Sequence, residues 1–217
     1  MNTVAYPHIQ THRYYTPADA TLKIVDLKTS PVNVGYIMGS GDDVPEAIRQ
    51  MGMTVTMLDE QTIASGDLSK FDTIVVGIRA AETRPDFVAN NARLLDYVKN
   101  GGNMIVQYQR GNWTGLAPFP VNTQDRQGTT AGAINRVVDE NATVTILDAA
   151  DPVFNTPNKI TGKDFEGWGQ ERNAYNLVTF DPQYKPLLES HDAGEQENQG
   201  GLVRVQLGKG TWTYCSY

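Results

Sequence analysis

The sequence has little cysteine, no excess of positive charge and no long apolar run. Its single cysteine, Cys215, excludes an internal disulfide and any zinc or iron–sulfur site that needs several cysteines. Its 18 basic against 25 acidic side chains give a net charge of −7, which argues against nucleic acid because phosphate contacts need clustered Lys and Arg. Apolar runs such as 73–78 fall far short of the roughly 18 residues of a membrane span, so we expect no membrane partner.

The rest of the composition is typical of a soluble globular domain, with 40% hydrophobic and 20% charged residues. No basic and then apolar leader opens the chain, so we expect no signal peptide in this segment. The lone cysteine leaves the compartment open, and an exported or periplasmic parent protein remains one of the alternatives.

Short apolar strands alternate with helix-length segments from residue 33 onward. The pattern predicts the strands 34–38, 54–58, 73–78, 104–107, 144–147, 202–207 and 211–217 and the helices 45–51, 85–99 and 163–172. The polar, Gly-containing stretch 110–135 predicts a long loop. This alternation predicts an α/β fold of flavodoxin-like type, in which a doubly wound, mainly parallel sheet carries helices on both faces.

The first 32 residues differ from the rest of the chain. Tyr-Pro, Thr-Pro and Ser-Pro pairs mark extended or turn backbone on both sides of one alternating strand at 21–27. We therefore interpret 1–32 as a junction segment with one strand and 33–217 as the α/β domain.

Two aspartates and an arginine follow predicted strands, and ligands of open parallel sheets bind at the carboxyl ends of strands. Asp42, Asp43 and Arg79 are therefore candidates for binding sugar hydroxyls or a cation. Val44 stands where a dinucleotide fingerprint needs its third glycine, so we expect no cofactor. In the simpler interpretation Asp43 caps the next helix, Asp42 is solvated, and Arg79 pairs with Glu82 or Asp42.

The densest polar and aromatic cluster of the sequence lies at 164–172. Its candidate ligand-binding residues are Asp164, Glu166, Trp168, Glu171 and Arg172. An indole and carboxylates suit sugar recognition, and a carboxylate pair could hydrolyse a glycosidic bond. The simpler alternative puts the aromatic rings in the core and the charges outward. Residues 164–197 hold eight acidic and two basic side chains, which predicts a solvated face or, alternatively, a cation or polyol site.

Several motifs, in order along the chain, resemble one family. They are 34–37, 41–45, 75–79, 90–91, 94–98, 101–102, 155–160, 164–168 and 208–211. They are similar to the glutamine-amidotransferase-like domain, related to ThuA-like domains, at the C-terminal end of bacterial PIG-L (LmbE-like) deacetylases. The resemblance implies a flavodoxin-like fold, a preceding deacetylase domain in the same chain as partner, and a further helix beyond residue 217.

The catalytic residues of the two implied activities are missing from their expected places. A working amidotransferase needs a cysteine after the strand 104–107, where Tyr108 stands instead. PIG-L deacetylases hold zinc with a Pro-His-x-Asp-Asp run, whereas Pro7 and His8 precede Ile and Gln here, so we expect no metal site. His8 and His12 are spaced as on one helical face, but Pro7 argues against a helix.

The catalytic residues are therefore left unassigned. The sequence favours an accessory, non-catalytic amidotransferase-like domain of a PIG-L type deacetylase that acts on N-acetylated sugars. This domain would bind a glycan or dock the deacetylase domain. The alternatives are a carbohydrate-active hydrolase that uses a carboxylate pair and a purely structural interaction module.

Overall fold

A computed structural model describes residues 1–20, 22, 24, 26–123 and 135–217. The strands are β1 Asn2–Val4, β2 His12–Tyr14, β3 Asn33–Ile37, β4 Thr54–Met57, β5 Thr73–Val76, β6 Asn103–Gln107, β7 Val121–Asn122, β8 Arg136–Val137, β9 Thr145–Ile146, β10 Asn173–Ala174, β11 Thr179–Phe180, β12 Lys185–Ser190, β13 Asn198–Leu207 and β14 Gly210–Cys215. The helices are α1 Val44–Gln50, α2 Glu60–Ser65, α3 Ala80–Thr83, α4 Pro85–Ala89 and α5 Asn91–Lys99. Short 3-10 turns lie at Thr114–Leu116, Pro152–Phe154 and Gly162–Phe165.

The central sheet has the strand order β4-β3-β5-β6-β14-β13-β12-β9. The strands from β4 to β14 are parallel neighbours, and those from β14 to β9 are antiparallel. Successive parallel strands are joined through helices, as crossover connections require. The predicted doubly wound, mainly parallel α/β fold is confirmed, and the predicted closing hairpin of β13 and β14 joins the parallel part of the sheet to the antiparallel part.

Alternate residues of the buried strands pack against helices on opposite faces of the sheet. In β5, Ile74 and Val76 belong to the apolar cluster that includes Leu94 of α5. Val75, between them, belongs to a second cluster with Ile48 of α1. A strand covered on both faces has no polar face, which explains why this stretch of sequence is apolar without alternation.

Parallel alignment brings the carboxyl ends of β3, β5, β6 and β14 to one edge of the sheet, called here the carboxyl edge. β12 also ends at this edge, because two antiparallel pairings separate it from β14. The residues that come directly after these strands are therefore neighbours in space, although up to 180 positions separate them in the sequence.

The structure differs from the sequence prediction in two of the expected helices. The helix expected at 85–99 is broken at Asn90, whose side-chain amide donates to the Asp86 carbonyl (2.8 Å). The helix expected at 163–172 is only the turn Gly162–Phe165, because Glu166 is extended and Gly167 takes a left-handed φ of 72°. α2 and β12 are absent from the predicted elements. Pro186 within β12 obscures the strand pattern of that stretch.

Two further predictions fall partly outside the described residues. The predicted strand 21–27 includes residues 21, 23 and 25, which are outside them, and the described residues of this stretch belong to no strand. In the predicted loop 110–135, residues 124–134 are outside them as well. The described part of that loop holds the turn Thr114–Leu116 and β7, which pairs with β11.

Asp151 joins the turn after β9 to the antiparallel strands β12 and β13. Its carboxylate is 1% exposed and accepts hydrogen bonds from Lys185 Nζ (2.8 Å) and Arg204 Nη2 (2.7 Å). The Val153 amide donates to it as well (3.0 Å). Burial raises the pKa of Asp151, but the bonds from Lys185 and Val153 and the charge of Arg204 outweigh this effect and hold the pKa below its usual value.

We therefore expect Asp151→Asn to lower the free energy of unfolding by about 2 kcal/mol, because the change removes the buried carboxylate that accepts hydrogen bonds from the partly exposed Lys185 and Arg204. Asp148→Asn is the matched control: Asp148 binds the same Lys185 but is 39% exposed, so its loss should cost much less stability than the loss of Asp151. Urea unfolding at neutral pH measures both. Equal stability of the two variants would contradict the assignment.

The same carboxylate predicts an acid sensitivity. A lowered native pKa means that Asp151 contributes its full stability above the unfolded-state pKa, near 4, and loses it as the pH falls through the native value. Below about pH 4 the stability gap between the parent protein and Asp151→Asn should therefore narrow. Urea unfolding across this pH range measures the gap, and a constant gap would contradict the prediction.

Candidate functional site

At the carboxyl edge, Asp42 follows β3 and is held by its surroundings. The buried Tyr36 hydroxyl donates to Asp42 Oδ1 (2.7 Å) and lies 3.1 Å from Gln107 Oε1, and the Val44 amide also donates to Asp42 Oδ1 (3.0 Å). Burial, followed by the bond to Asp42 and its charge, raises the pKa of Tyr36 well above its usual value, so the hydroxyl stays a donor.

The two aspartates exchange the roles that the simpler interpretation gave them. Asp43 occupies the N-cap position of α1, but its side chain accepts no capping hydrogen bond. Asp42 accepts the Val44 amide instead, because it lies one residue closer to the strand and its carboxylate turns back over Gly77. Its Oδ2 is buried without a partner among the described residues. The predicted capping by Asp43 and the solvated Asp42 are both wrong.

Arg79 follows β5 in a left-handed backbone conformation, with φ 56° and ψ 23°. Its amide donates to the Tyr108 carbonyl (3.0 Å), which holds the conformation in place. Its side-chain Nε donates to Glu82 Oε2 (2.6 Å), and this bond raises the pKa of Arg79. Of the two ion pairs expected for Arg79, the structure contains the one with Glu82.

Two tyrosines and a second arginine complete this group. The rings of Tyr108 and Tyr175 stack with centroids 5.1 Å apart, and the Arg110 guanidinium lies over the Tyr175 ring at 5.5 Å. Arg110 Nε is 4.0 Å from Glu82 Oε1, so both arginines face one carboxylate. We call Arg79, Glu82, Tyr108, Arg110 and Tyr175 the carboxyl-edge cluster.

Tyr175 also lines a cavity of about 460 Å³ beside the cluster. The other lining residues are Asn135, Arg136, Val138, Glu171, Asn173 and Ala174. Tyr175 has a positive φ of 64°, and its carbonyl accepts the Tyr214 hydroxyl (2.6 Å). Tyr175 thus belongs both to the carboxyl-edge cluster and to the lining of a polar cavity. Of the candidates predicted from the sequence, Glu171 lines this cavity.

The other candidates from 164–172 have different surroundings. Asp164 forms a capping box with Thr161, and Glu166 and Trp168 are exposed. Arg172 is buried at 5% exposure and donates to two main-chain carbonyls, those of Ala142 and Phe165. Arg172 therefore links two loops through their main-chain carbonyls, a structural role beside the ligand-binding role that the sequence predicts. The 460 Å³ cavity is lined by Glu171 but not by Asp42, Arg79 or Glu166.

Three acidic side chains of the stretch 164–197 pair with basic side chains. Arg136 Nη1 pairs with Asp192 (2.9 Å) and Glu195 (3.0 Å), and Asp192 also accepts the main-chain amides of Val138 and Asp139. His191 Nδ1 lies 2.8 Å from Glu189 Oε1, and this bond raises the pKa of His191. The described residues contain no group of three His, Cys, Asp or Glu side chains arranged to hold a metal ion.

The chemistry of an amidotransferase lacks its nucleophile. β6 ends at Gln107, and Tyr108 and Gln109 come next without a cysteine or serine. Cys215 lies at the same edge, opposite Gln107 on the neighbouring strand, but burial raises the pKa of its thiol. His191 follows β12, and the axes of β12 and β14, which has β13 between them, are about 10 Å apart.

No helix in the described part of the chain is long and apolar enough to span a membrane.

A larger cavity of about 550 Å³ lies at the opposite, amino edge of the sheet. Its polar groups are committed to the fold: Arg93 donates to the Ile63 carbonyl (2.8 Å), the Tyr97 hydroxyl to the Phe71 carbonyl (3.1 Å), and Asp72 accepts the Asn33 amide (2.7 Å). Because ligands of parallel sheets bind at the carboxyl ends of strands, we place the candidate site at the carboxyl-edge cluster.

The sequence predicts Arg79 as a site residue and Glu82 as its ion-pair partner. It does not predict the other members of the cluster, Tyr108, Arg110 and Tyr175. Tyr108 and Arg110 carry a readable signal, because they come directly after a predicted strand, where ligands bind. Tyr175 carries none: it lies in an irregular stretch far along the chain, and only the tertiary structure brings it to this edge.

No protein-family model and no curated protein matches the chain. Among solved structures, a cytoplasmic protein from Salmonella typhimurium aligns with a TM-score of 0.51 and 14% identity, over 85% of this chain and 87% of that one. A protein described as ThuA-like from Bacteroides uniformis aligns with a TM-score of 0.50 and 12% identity, over 88% and 84%. At such identities the likeness shows the fold alone, which is ThuA-like.

A β-galactosidase from Rahnella aligns with a TM-score of 0.47 and 14% identity, over 87% of this chain and 29% of the enzyme. This likeness is too distant to support an argument about function.

The raised pKa of Cys215 predicts that its thiol reacts slowly with alkylating reagents. At about pH 7.5 we expect iodoacetamide to alkylate Cys215 at least about tenfold more slowly than it alkylates glutathione, because little thiolate is present and the side chain is partly buried. Mass spectrometry of the native protein measures the rate, and the urea-unfolded protein, whose thiol is exposed, is the control. Alkylation of the native protein faster than of glutathione would reveal an activated thiolate and contradict the prediction.

Proposed function

We propose that this chain is a non-catalytic, glycan-binding amidotransferase-like domain that acts as an accessory to a PIG-L type deacetylase. The observation that carries the proposal is the stacked pair of Tyr108 and Tyr175 at the carboxyl edge, which lies between charged groups and continues into the 460 Å³ cavity. The site has the size and mixed lining that small-molecule sites commonly show.

The chemistry of the site suits a sugar better than a flat apolar ligand. A pyranose has an apolar face that packs on an aromatic ring and a rim of hydroxyls that need donors and acceptors. Tyr175 contributes aromatic surface to the lining of the cavity, and Glu171, Asn135 and Asn173 contribute polar groups. The missing nucleophile after β6 supports binding without glutamine hydrolysis.

The accessory role draws on residues 1–30. This segment exposes large apolar side chains, which is a common mark of an interaction surface. They are Val4, Tyr6, Ile9, Tyr14, Tyr15, Leu22, Ile24 and Leu27. In the proposal these side chains contact the preceding deacetylase domain of the same protein.

The genomic reading frame that contains this segment tests the accessory role. A Pro-His-x-Asp-Asp motif upstream in the same frame is expected. A frame that encodes residues 1–217 alone would contradict the deacetylase parent and leave glycan binding as a separate question.

We expect Tyr175→Asn to weaken glycan binding at least about tenfold, which corresponds to about 1.4 kcal/mol for the lost ring. Asparagine tolerates the left-handed backbone of position 175, so the change removes the ring without adding strain. Screening on a glycan array followed by calorimetry with the best ligand measures the effect.

Trp168→Ala is the matched control, because it removes an exposed aromatic residue from the alternative cluster at 164–172. We expect this variant to bind as the parent protein does. Loss of binding in Trp168→Ala with normal binding in Tyr175→Asn would move the site to 164–172, and no binding to any glycan would contradict the proposal.

A carbohydrate-active hydrolase is the second candidate, because Glu171 lines the cavity beside an aromatic ring. A hydrolase would need a second carboxylate beside Glu171. Asp164 is engaged in a capping box with Thr161, and Glu166 does not line the cavity. We therefore expect no turnover of nitrophenyl glycosides. Turnover that disappears in both Glu171→Gln and Glu166→Gln would support the hydrolase instead.

A further inference from the structure

The carboxyl-edge cluster contains more positive than negative charge. Arg79 and Arg110 share Glu82 as their carboxylate, at 2.6 Å and 4.0 Å. All three side chains are partly exposed, at 37%, 45% and 28% for Arg79, Arg110 and Glu82. The cluster is therefore a local positive site on a protein whose net charge is −7.

The donors of this site are only partly used. Arg79 and Arg110 both turn Nε toward Glu82. Within the described ranges 1–20, 26–123 and 135–217, the terminal amino groups of both guanidiniums donate to no acceptor. Guanidinium groups with free terminal donors bind carboxylate, sulfate and phosphate oxygens in pairs of parallel hydrogen bonds.

Three neighbouring acids of the edge have other partners, and a fourth, Glu171, lines the adjoining cavity with Tyr175. Asp42 is held by Tyr36 and by the Val44 amide, and Asp192 and Glu195 are held by Arg136. Arg110 is also oriented by the Tyr175 ring beneath it, which reduces the entropy lost when its guanidinium binds an anion.

We infer that the carboxyl-edge cluster and the cavity beside it bind an acidic glycan, with the carboxylate of a uronic acid on Arg79 and Arg110 and its pyranose in the cavity that Tyr175 lines. This inference rests on the proposed glycan binding and names its ligand class. The sugar ring and the anionic group have separate receptors, the cavity and the two arginines, so their contributions separate in an experiment.

Titration with methyl β-D-glucuronide and, separately, with methyl β-D-glucoside tests the inference. Amide and arginine Nε shifts in ¹⁵N NMR spectra of the whole chain report binding at millimolar affinities. We expect the acidic sugar to bind at least about tenfold more tightly than the neutral one, which is the effect of one charge-assisted pair. This preference should shrink as salt is added.

Arg110→Gln and Arg79→Gln should each remove most of the preference for the acidic sugar. Arg49→Gln is the control, because Arg49 is an exposed arginine of α1 that pairs with Glu46. Spectra of each variant without ligand establish that it is folded. Should one variant fail to fold, the other arginine variant and the salt series still decide the question.

The outcomes separate the inference from the function on which it rests. Equal binding of both sugars at Tyr175 overturns the acidic class and leaves glycan binding intact. Binding of inorganic phosphate as tight as that of the glucuronide, with no effect of Tyr175→Asn on either, shows a plain anion site and overturns the inference. No binding of either sugar, together with an array that detects no glycan, overturns the proposed function as well.

Discussion

The parallel alignment of β3, β5, β6 and β14 is the constraint on which the rest of the structure depends. Backbone hydrogen bonds fix the register of these strands, so their carboxyl ends form a single edge. Helices connect the strands from β3 to β6, whereas β6 reaches β14 through the antiparallel strands, so chain segments far apart in sequence become neighbours at that edge. The candidate site consists of residues from the loops at the carboxyl ends of β5 and β6, together with Tyr175 from the later, irregular part of the chain.

Two residues of the carboxyl-edge cluster have a strained, left-handed backbone conformation. Arg79 and Tyr175 are the non-glycine residues with positive φ among the described residues, and both belong to the cluster. Each such residue costs about 1–3 kcal/mol and persists where its surroundings hold it. A hydrogen bond from the Arg79 amide to the Tyr108 carbonyl and another from the Tyr214 hydroxyl to the Tyr175 carbonyl supply that restraint. Tyr214 is itself fixed by stacking on the buried Trp113 at 5.0 Å, so the apolar core positions the polar site.

Electrostatics distinguish this edge from the rest of the protein. The acidic stretch 164–197 suggests a ligand site from its composition, but two of its carboxylates, Asp192 and Glu195, are held by Arg136 and by main-chain amides. Arg79 and Arg110, by contrast, share a single carboxylate. A count of charges along the sequence does not distinguish these two cases, because the partners of a charge are decided by the fold.

The alternation of strands and helices, the mainly parallel sheet, the closing hairpin and the lack of a nucleophile after β6 are all predictable from the sequence. These features depend on local periodicity and residue identity, which neighbours in sequence express. Three other features follow from the tertiary fold. Asp42, and not Asp43, accepts a hydrogen bond from the Val44 amide, the buried Arg172 donates to the Ala142 carbonyl, and Tyr175 stacks on Tyr108. These features depend on contacts between distant segments, and such contacts leave no periodic pattern in the sequence.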